Sequence, residues 1–197
     1  MTIKLTIRLF LLIGFCSCSD NSDNQTKQTD VESSGFYIQN GFRQGLKYID
    51  TIERLYNYWN ITTTITNNSV AAMRLEINFL QKHTALNDSL KARVFLLPRR
   101  LTPAKPQFDP NMPIELRTFL DKINEIPVAF DTVLSPKGTC VMTFGILTEA
   151  KSEANAIVLK ATDKSSSRVT LGLNFDLMHG NHYSIPCGQI SFVDSKN

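Results

Sequence analysis

Val169, Leu171, Leu173, Phe175 and Leu177 occupy every second position of one continuous stretch. A side-chain period of two places all five on one face of a strand and leaves the intervening residues on the other. The pattern recurs. Trp59, Ile61, Thr63 and Ile65 alternate with Asn60, Thr62 and Thr64, and Met73, Leu75, Ile77 and Phe79 alternate with Arg74, Glu76 and Asn78. Cys140, Met142, Phe144 and Ile146 form a further run. Such runs, each with one apolar face, define antiparallel sheets that cover a core on one side.

The turns between them follow from residue chemistry. Asn67-Asn68-Ser69 joins two alternating runs, which predicts a hairpin with those two strands paired. Residues 91–97 form another strand, ended by Pro98. Residues 128–134 and 156–161 are strands as well, followed by turns at Ser135-Pro136-Lys137-Gly138 and at residues 163–167. The hairpin turn His179-Gly180-Asn181-His182 leads into a last strand, 183–193, where Pro186 and Gly188 predict an edge position or a bulge. Residues 36–55 fit two periods. Phe42, Leu46, Ile49 and Ile52 have helical spacing, whereas Tyr48-Ile49-Asp50 reads as an edge strand. One helix is expected, opened by Pro113, striped by Leu116, Phe119, Leu120 and Ile123, and closed by Pro127. The expected fold is all-β and mainly antiparallel, a sandwich of immunoglobulin-like or fibronectin-like appearance with one inserted α-helix. A barrel with the helix as plug is the alternative.

The N-terminus carries an address. Lys4 and Arg8 precede and enter the apolar run Leu9-Phe-Leu-Leu-Ile-Gly-Phe15, which Cys16-Ser17-Cys18 follows. A basic n-region, a short apolar core and a small residue before a cysteine form a signal peptide. The run falls well short of the roughly 20 residues that span a bilayer. The segment resembles the lipobox of bacterial lipoproteins cleaved by signal peptidase II. Small Ser17 before Cys18 suits the cleaved bond, whereas Cys16 would place Phe15 there; the alternative is an ordinary cleaved signal. The resemblance implies an acylated Cys18 and a membrane anchor. Ser19-Asp20-Asn21-Ser22-Asp23 is similar to the acidic export signal of Bacteroidota surface lipoproteins, departing from it at Asn21. It implies outer-membrane attachment with surface display. The expected organisation is a signal peptide at 1–17, a lipidated flexible tether at 18–35, and a single domain at 36–197. Residues 19–35 are too polar to bury a core of their own.

The chain has 197 residues and a formal charge of +3. Losing Lys4 and Arg8 with the signal lowers that to about +1, which argues against nucleic acid as partner. Cys140 and Cys187 remain in an oxidising compartment, where a disulfide between them is expected to stabilise by about 4 kcal/mol. Two buried thiols are the alternative.

Few residues offer chemistry. His179 and His182 beside Asp176 are weak candidates for a metal site, set against the plainer reading of a polar hairpin tip. His83 stands alone. There is no Gly-x-Ser-x-Gly elbow and no phosphate-cradling glycine motif, and no cofactor is expected. Asp50-Thr51-Ile52, Asp88-Ser89-Leu90 and Asp131-Thr132-Val133 resemble the O-glycosylation acceptor of exported Bacteroidota proteins, with Ser89 the best placed. Arg99 and Arg100 open a loop carrying Pro103, Pro106 and Pro110, and their forked guanidinium groups suit a carboxylate or phosphate. These features point to a non-enzymatic module that binds a protein or glycan partner. A hydrolase with an unrecognised site, or a structural subunit of an envelope complex, is the alternative.

Overall fold

The computed structural model describes residues 31–33, 35–79, 84–87, 90–102, 112–122, 129–149, 154–164, 168–177 and 182–193. In chain order the strands are β1 (Val31–Ser33), β2 (Phe36–Ile49), β3 (Leu55–Asn67), β4 (Ala72–Asn78), β5 (Thr84–Asn87) and β6 (Leu90–Leu97). A 3-10 turn (Arg99–Leu101) and helix α1 (Ile114–Asp121) follow. Then come β7 (Ala129–Leu134), β8 (Thr139–Glu149), β9 (Ala154–Lys164), β10 (Arg168–Leu177) and β11 (His182–Val193). They build two sheets, ordered β1-β2-β3-β8-β6-β5 (sheet A) and β7-β4-β11-β10-β9 (sheet B). Every strand pair in them is antiparallel. The expected all-β class therefore holds, and the inserted helix is present.

One core lies between the sheets. Phe36, Ile38, Ile61, Ile65, Phe144 and Ile146 come from sheet A, and Met73, Leu75, Ile77, Leu171, Leu173, Phe175 and Ile190 from sheet B. Each such side chain, once buried, stabilises by roughly 1.5–3 kcal/mol before conformational entropy is subtracted. The alternating residues read from the sequence are these core residues.

The predicted pairing of residues 59–65 with 73–79 is overturned. β3 lies in sheet A and β4 in sheet B, so Asn67-Asn68-Ser69 carries the chain across the core rather than back along one sheet. The β7–β8 connection crosses the same way, and the two arches stand side by side. Asn67 ties them together. Its Nδ2 donates to the carbonyls of Ala71, Leu134 and Ser135. Its backbone N–H donates to Gly138 O, and its carbonyl accepts from Lys137 N. Its Oδ1 accepts from the Ser69 N–H and hydroxyl.

β2 resolves the ambiguity of residues 36–55 in favour of a strand, paired with β3 along its length. A bulge between Asn40 and Arg43 shifts its register. Asn40, buried on the inner face, donates from Nδ2 to Leu159 O at 3.0 Å and accepts from Leu159 N at 2.8 Å. That exchange joins the edge strand β9 of sheet B to sheet A. β1 pairs with the start of β2 inside the stretch expected as tether. β11 is a central strand, not an edge; its irregularity is a bulge opposite Leu171 and Gly172. A Cβ on Gly188 would lie 2.1 Å from Glu76 O, so only glycine permits β4 to approach there.

Sheet A is covered on its outer face too. Leu116 and Leu120 of α1 pack on Tyr48, Tyr58, Phe95, Leu97 and Leu147. Tyr48 Oη donates to Asp121 Oδ1 at 2.8 Å and pins the end of the helix. Among the described residues no helix is long and apolar enough to cross a membrane.

Candidate functional site

The outer face of sheet B carries a linked row of charged and polar side chains. In the β4 pattern, inner-face Met73, Leu75 and Ile77 leave Arg74, Glu76 and Asn78 facing outward. Register then sets Gln189 of β11 and Asp131 of β7 on either side of Glu76. Two carboxylates directly opposite each other on neighbouring strands repel. Arg74, one step along the face, resolves the conflict. Its guanidinium donates to both Asp131 oxygens, at 3.1 and 2.5 Å, and its Nε lies 3.0 Å from Glu76 Oε1. Gln189 Nε2 donates to Glu76 Oε2.

The electrostatics follow from these contacts. The Arg74 hydrogen bond, with its charge, holds the Asp131 carboxyl below the usual carboxylate range. Asp131 in turn holds the Arg74 guanidinium above its ordinary value. A shallow, open concavity of about 380 Å³ adjoins the row, lined by Glu76, Ile77, Asn78, Ala129, Phe130 and Asp131. General acid catalysis needs one carboxyl held protonated near neutral pH. Asp131 is driven the other way.

The residues singled out in the sequence are distributed elsewhere. Cys18, Ser89 and His179 lie outside the described residues, as does His83. His182 Nδ1 lies 2.6 Å from Asp176 Oδ1 across the β10–β11 pair, both well exposed. Among the described residues no three His, Cys, Asp or Glu side chains gather to hold a metal ion. Arg99 and Arg100 are exposed on the 3-10 turn, and Thr102 anchors that turn by donating to Pro98 O and to Thr143 Oγ1. Thr132, on β7 in the third acceptor-like tripeptide, pairs with Leu75 of β4 and is half-buried.

The expected disulfide is not formed: Cys140 and Cys187 are both free. Both face the shared core, as alternation predicted. They are offset along the strands. Cys140 pairs with Ile65, beside the arches, where Asn67 bonds Leu134 O. Leu134 pairs with Met73, and Met73 with Phe192, five residues beyond Cys187. Cys140, opposite Ile65, lies two residues in from that same level, so the two cysteines are offset by about three residues, roughly 10 Å at about 3.3 Å each, beyond the ~7 Å Cα separation a disulfide spans. Cys187 Sγ instead donates to Leu171 O at 3.6 Å. Burial pushes its pKa up to about 12, and burial also raises that of Cys140.

Arg74 and Glu76 were legible as water-facing residues. Asp131 entered the sequence reading only within an acceptor-like tripeptide and Gln189 not at all, because their place beside Glu76 depends on strand order and register. Compared with known protein families, with curated proteins and with solved structures, the chain finds no match.

Proposed function

We propose that the chain is a non-enzymatic binding module of the cell envelope, anchored by an acylated Cys18 to the outer membrane and displayed at the surface. Its partner is a protein or a glycan, met on the outer face of sheet B. The observation that carries this reading is the row Gln189, Glu76 and Asp131 with Arg74 lying across it. These side chains fix one another, so their outward lone pairs and N–H groups stand ready at set spacings. Preorganised polar groups bind with less ordering cost than mobile ones.

The finer fold reading, an immunoglobulin-like or fibronectin-like sandwich, belongs to this proposal. Two antiparallel sheets around one core support it. Such scaffolds carry binding functions on faces and loops alike, and Arg99 and Arg100 are the competing loop site.

The test is capture from the native envelope by the full-length protein, with partners identified by mass. Arg74→Met and Glu76→Gln are each expected to weaken capture by about tenfold, as for central polar contacts of an interface. Arg99→Ala with Arg100→Ala should leave it unchanged. Capture that follows the two loop arginines instead would move the site to the 3-10 turn. Hydrolysis of an envelope polymer abolished by Glu76→Gln would replace the binding reading with a catalytic one.

A further inference from the structure

Three exposed aliphatic side chains stand together at the tip of the β2–β3 hairpin. Ile49 and Leu55 form its last cross-strand pair, 50% and 45% exposed, and Ile52 in the turn is 62% exposed. The turn that presents them is tightly built. Asp50 Oδ1 accepts from Ile52 N at 3.0 Å and from Arg54 N at 2.8 Å. Asp50 N donates to Arg54 O, and Glu53 N to Asp50 O. Glu53 sits at φ 63°, the left-handed region a non-glycine residue adopts only where surroundings hold it. An apolar tip fixed in this way is shaped to meet an apolar surface.

β1 runs antiparallel to β2, with Val31 opposite Ile38 and Ser33 opposite Phe36. The chain therefore enters β1 from the side of the hairpin tip. Ile38 pairs with Ile65 and Ile49 with Leu55, ten residues apart on β3. The tip thus lies roughly 33 Å from the Val31 position. Cys18 precedes Val31 by thirteen residues, which span at most about 45 Å. A tether of that length, drawn out, reaches the plane of the tip.

We infer that Ile49, Ile52 and Leu55 insert into the lipid leaflet that holds the Cys18 anchor, giving the domain a second membrane contact. The inference rests on the anchored reading above. The apolar groups enter the acyl boundary, and the long side chains of Glu53 and Arg54, opposite in sign, reach the headgroups. Two points of attachment fix the domain's orientation, where a tether alone leaves it free to tumble.

The test uses the full chain, extracted from its own envelope and reconstituted into vesicles of phosphatidylethanolamine and phosphatidylglycerol containing brominated phosphatidylcholine. Ile52→Trp and, from the flanking strand, Leu55→Trp report on the tip. Val70→Trp, 97% exposed at the opposite, arch end, is the control. Bromine should quench the tip tryptophans by about half, at the 5–10 Å depth of an interfacial contact, and leave the control unchanged. The unsubstituted chain supplies the Trp59 background. Equal quenching at both ends, or none at the tip, overturns the inference. Acyl label on Cys18 is measured on the same preparation. Its absence fells the anchored reading and the tip contact together; its presence without tip quenching fells the tip contact alone. A tip tryptophan shielded from iodide in native envelopes, yet unquenched in these vesicles, assigns the tip to a protein partner and also overturns the inference.

Discussion

The side-chain amide of Asn40 does for Leu159 what a neighbouring strand would do: it donates to the carbonyl and accepts from the N–H of one residue. Leu159 sits on β9, the edge of sheet B, and an edge strand normally leaves such groups to water or to an intruding chain. Asn40 closes that edge from the other sheet, and Thr63 Oγ1 donates at 3.2 Å to the same Asn40 Oδ1 that accepts from Leu159 N.

Asn40→Ala should therefore destabilise by about 2–4 kcal/mol, because two buried backbone groups lose their partner. Asn40→Asp is the sharper variant. Its carboxyl replaces both bonds only when protonated, so its folded pKa is raised above the unfolded value near 4. The stability it restores is present below that value and is lost as pH rises through the folded pKa. Urea unfolding of Asn40→Asp across acid to neutral pH should show this trend against the unsubstituted protein. A pH-independent difference would refute the ladder-like role.

Asn67 holds the two arches through donors that no carboxylate supplies. Asn67→Ala should cost about 2 kcal/mol, and Asn67→Asp more, since it sets an acceptor against three carbonyls. Wild-type stability of Asn67→Asp, measured by thermal unfolding, would show that the arches close without it.

The thiols make an alkaline prediction. Cys187 is held protonated up to about 12 against an ordinary 9.0. The folded state then resists an ionisation that the unfolded chain undergoes, so the contribution is intact below pH 9 and is lost between about 9 and 12. Cys187→Val should flatten the alkaline fall in stability. A disulfide reagent should find Cys187 unreactive in the folded protein, and both Cys140 and Cys187 reactive after denaturation without reductant. Absence of both thiols from the denatured, unreduced protein would mean that they are bonded.

Arg74 and Asp131 lie at the surface, so their pairing is read best by titration. In Arg74→Met the Asp131 carboxyl should return upward toward the ordinary aspartate range, and added salt should move the unsubstituted protein the same way. Carboxyl NMR titration checks both. An unmoved Asp131 would detach the pair from the electrostatics of the row.

Much of this architecture was written in alternation, and its failures have identifiable causes. A period of two states which face a residue occupies, so Phe144, Leu75 and Phe175 were legible as core. It does not state which strand lies alongside. An Asn-rich connection serves a hairpin or an arch, and only Asn67's contacts with the distant Leu134 and Ser135 decide for the arch. In β2 the bulge inserts a residue and exchanges the faces. Phe36 and Ile38 point into the shared core, whereas Leu46 and Tyr48 point under the helix, which blurred the strand period. Both cysteines were correctly assigned inward, but displacement along a strand leaves no mark on alternation. The Arg74 row escaped for a related reason: Asp131 and Gln189 reach Glu76 from 55 and 113 residues away along the chain.

The strand order also sets when the molecule can fold. β8 joins the β1–β3 group of sheet A to β5 and β6, and β11, at the C-terminal end, joins β4 and β7 to β9 and β10. A chain growing from its N-terminus joins the two parts of sheet A only when β8 emerges, and those of sheet B only when β11 does. Contacts of such long sequence separation form slowly, on a scale of milliseconds to seconds. Until then each half-sheet displays unpaired edges and bare apolar faces, so the nascent protein needs to be kept apart from its neighbours until β11 has been made.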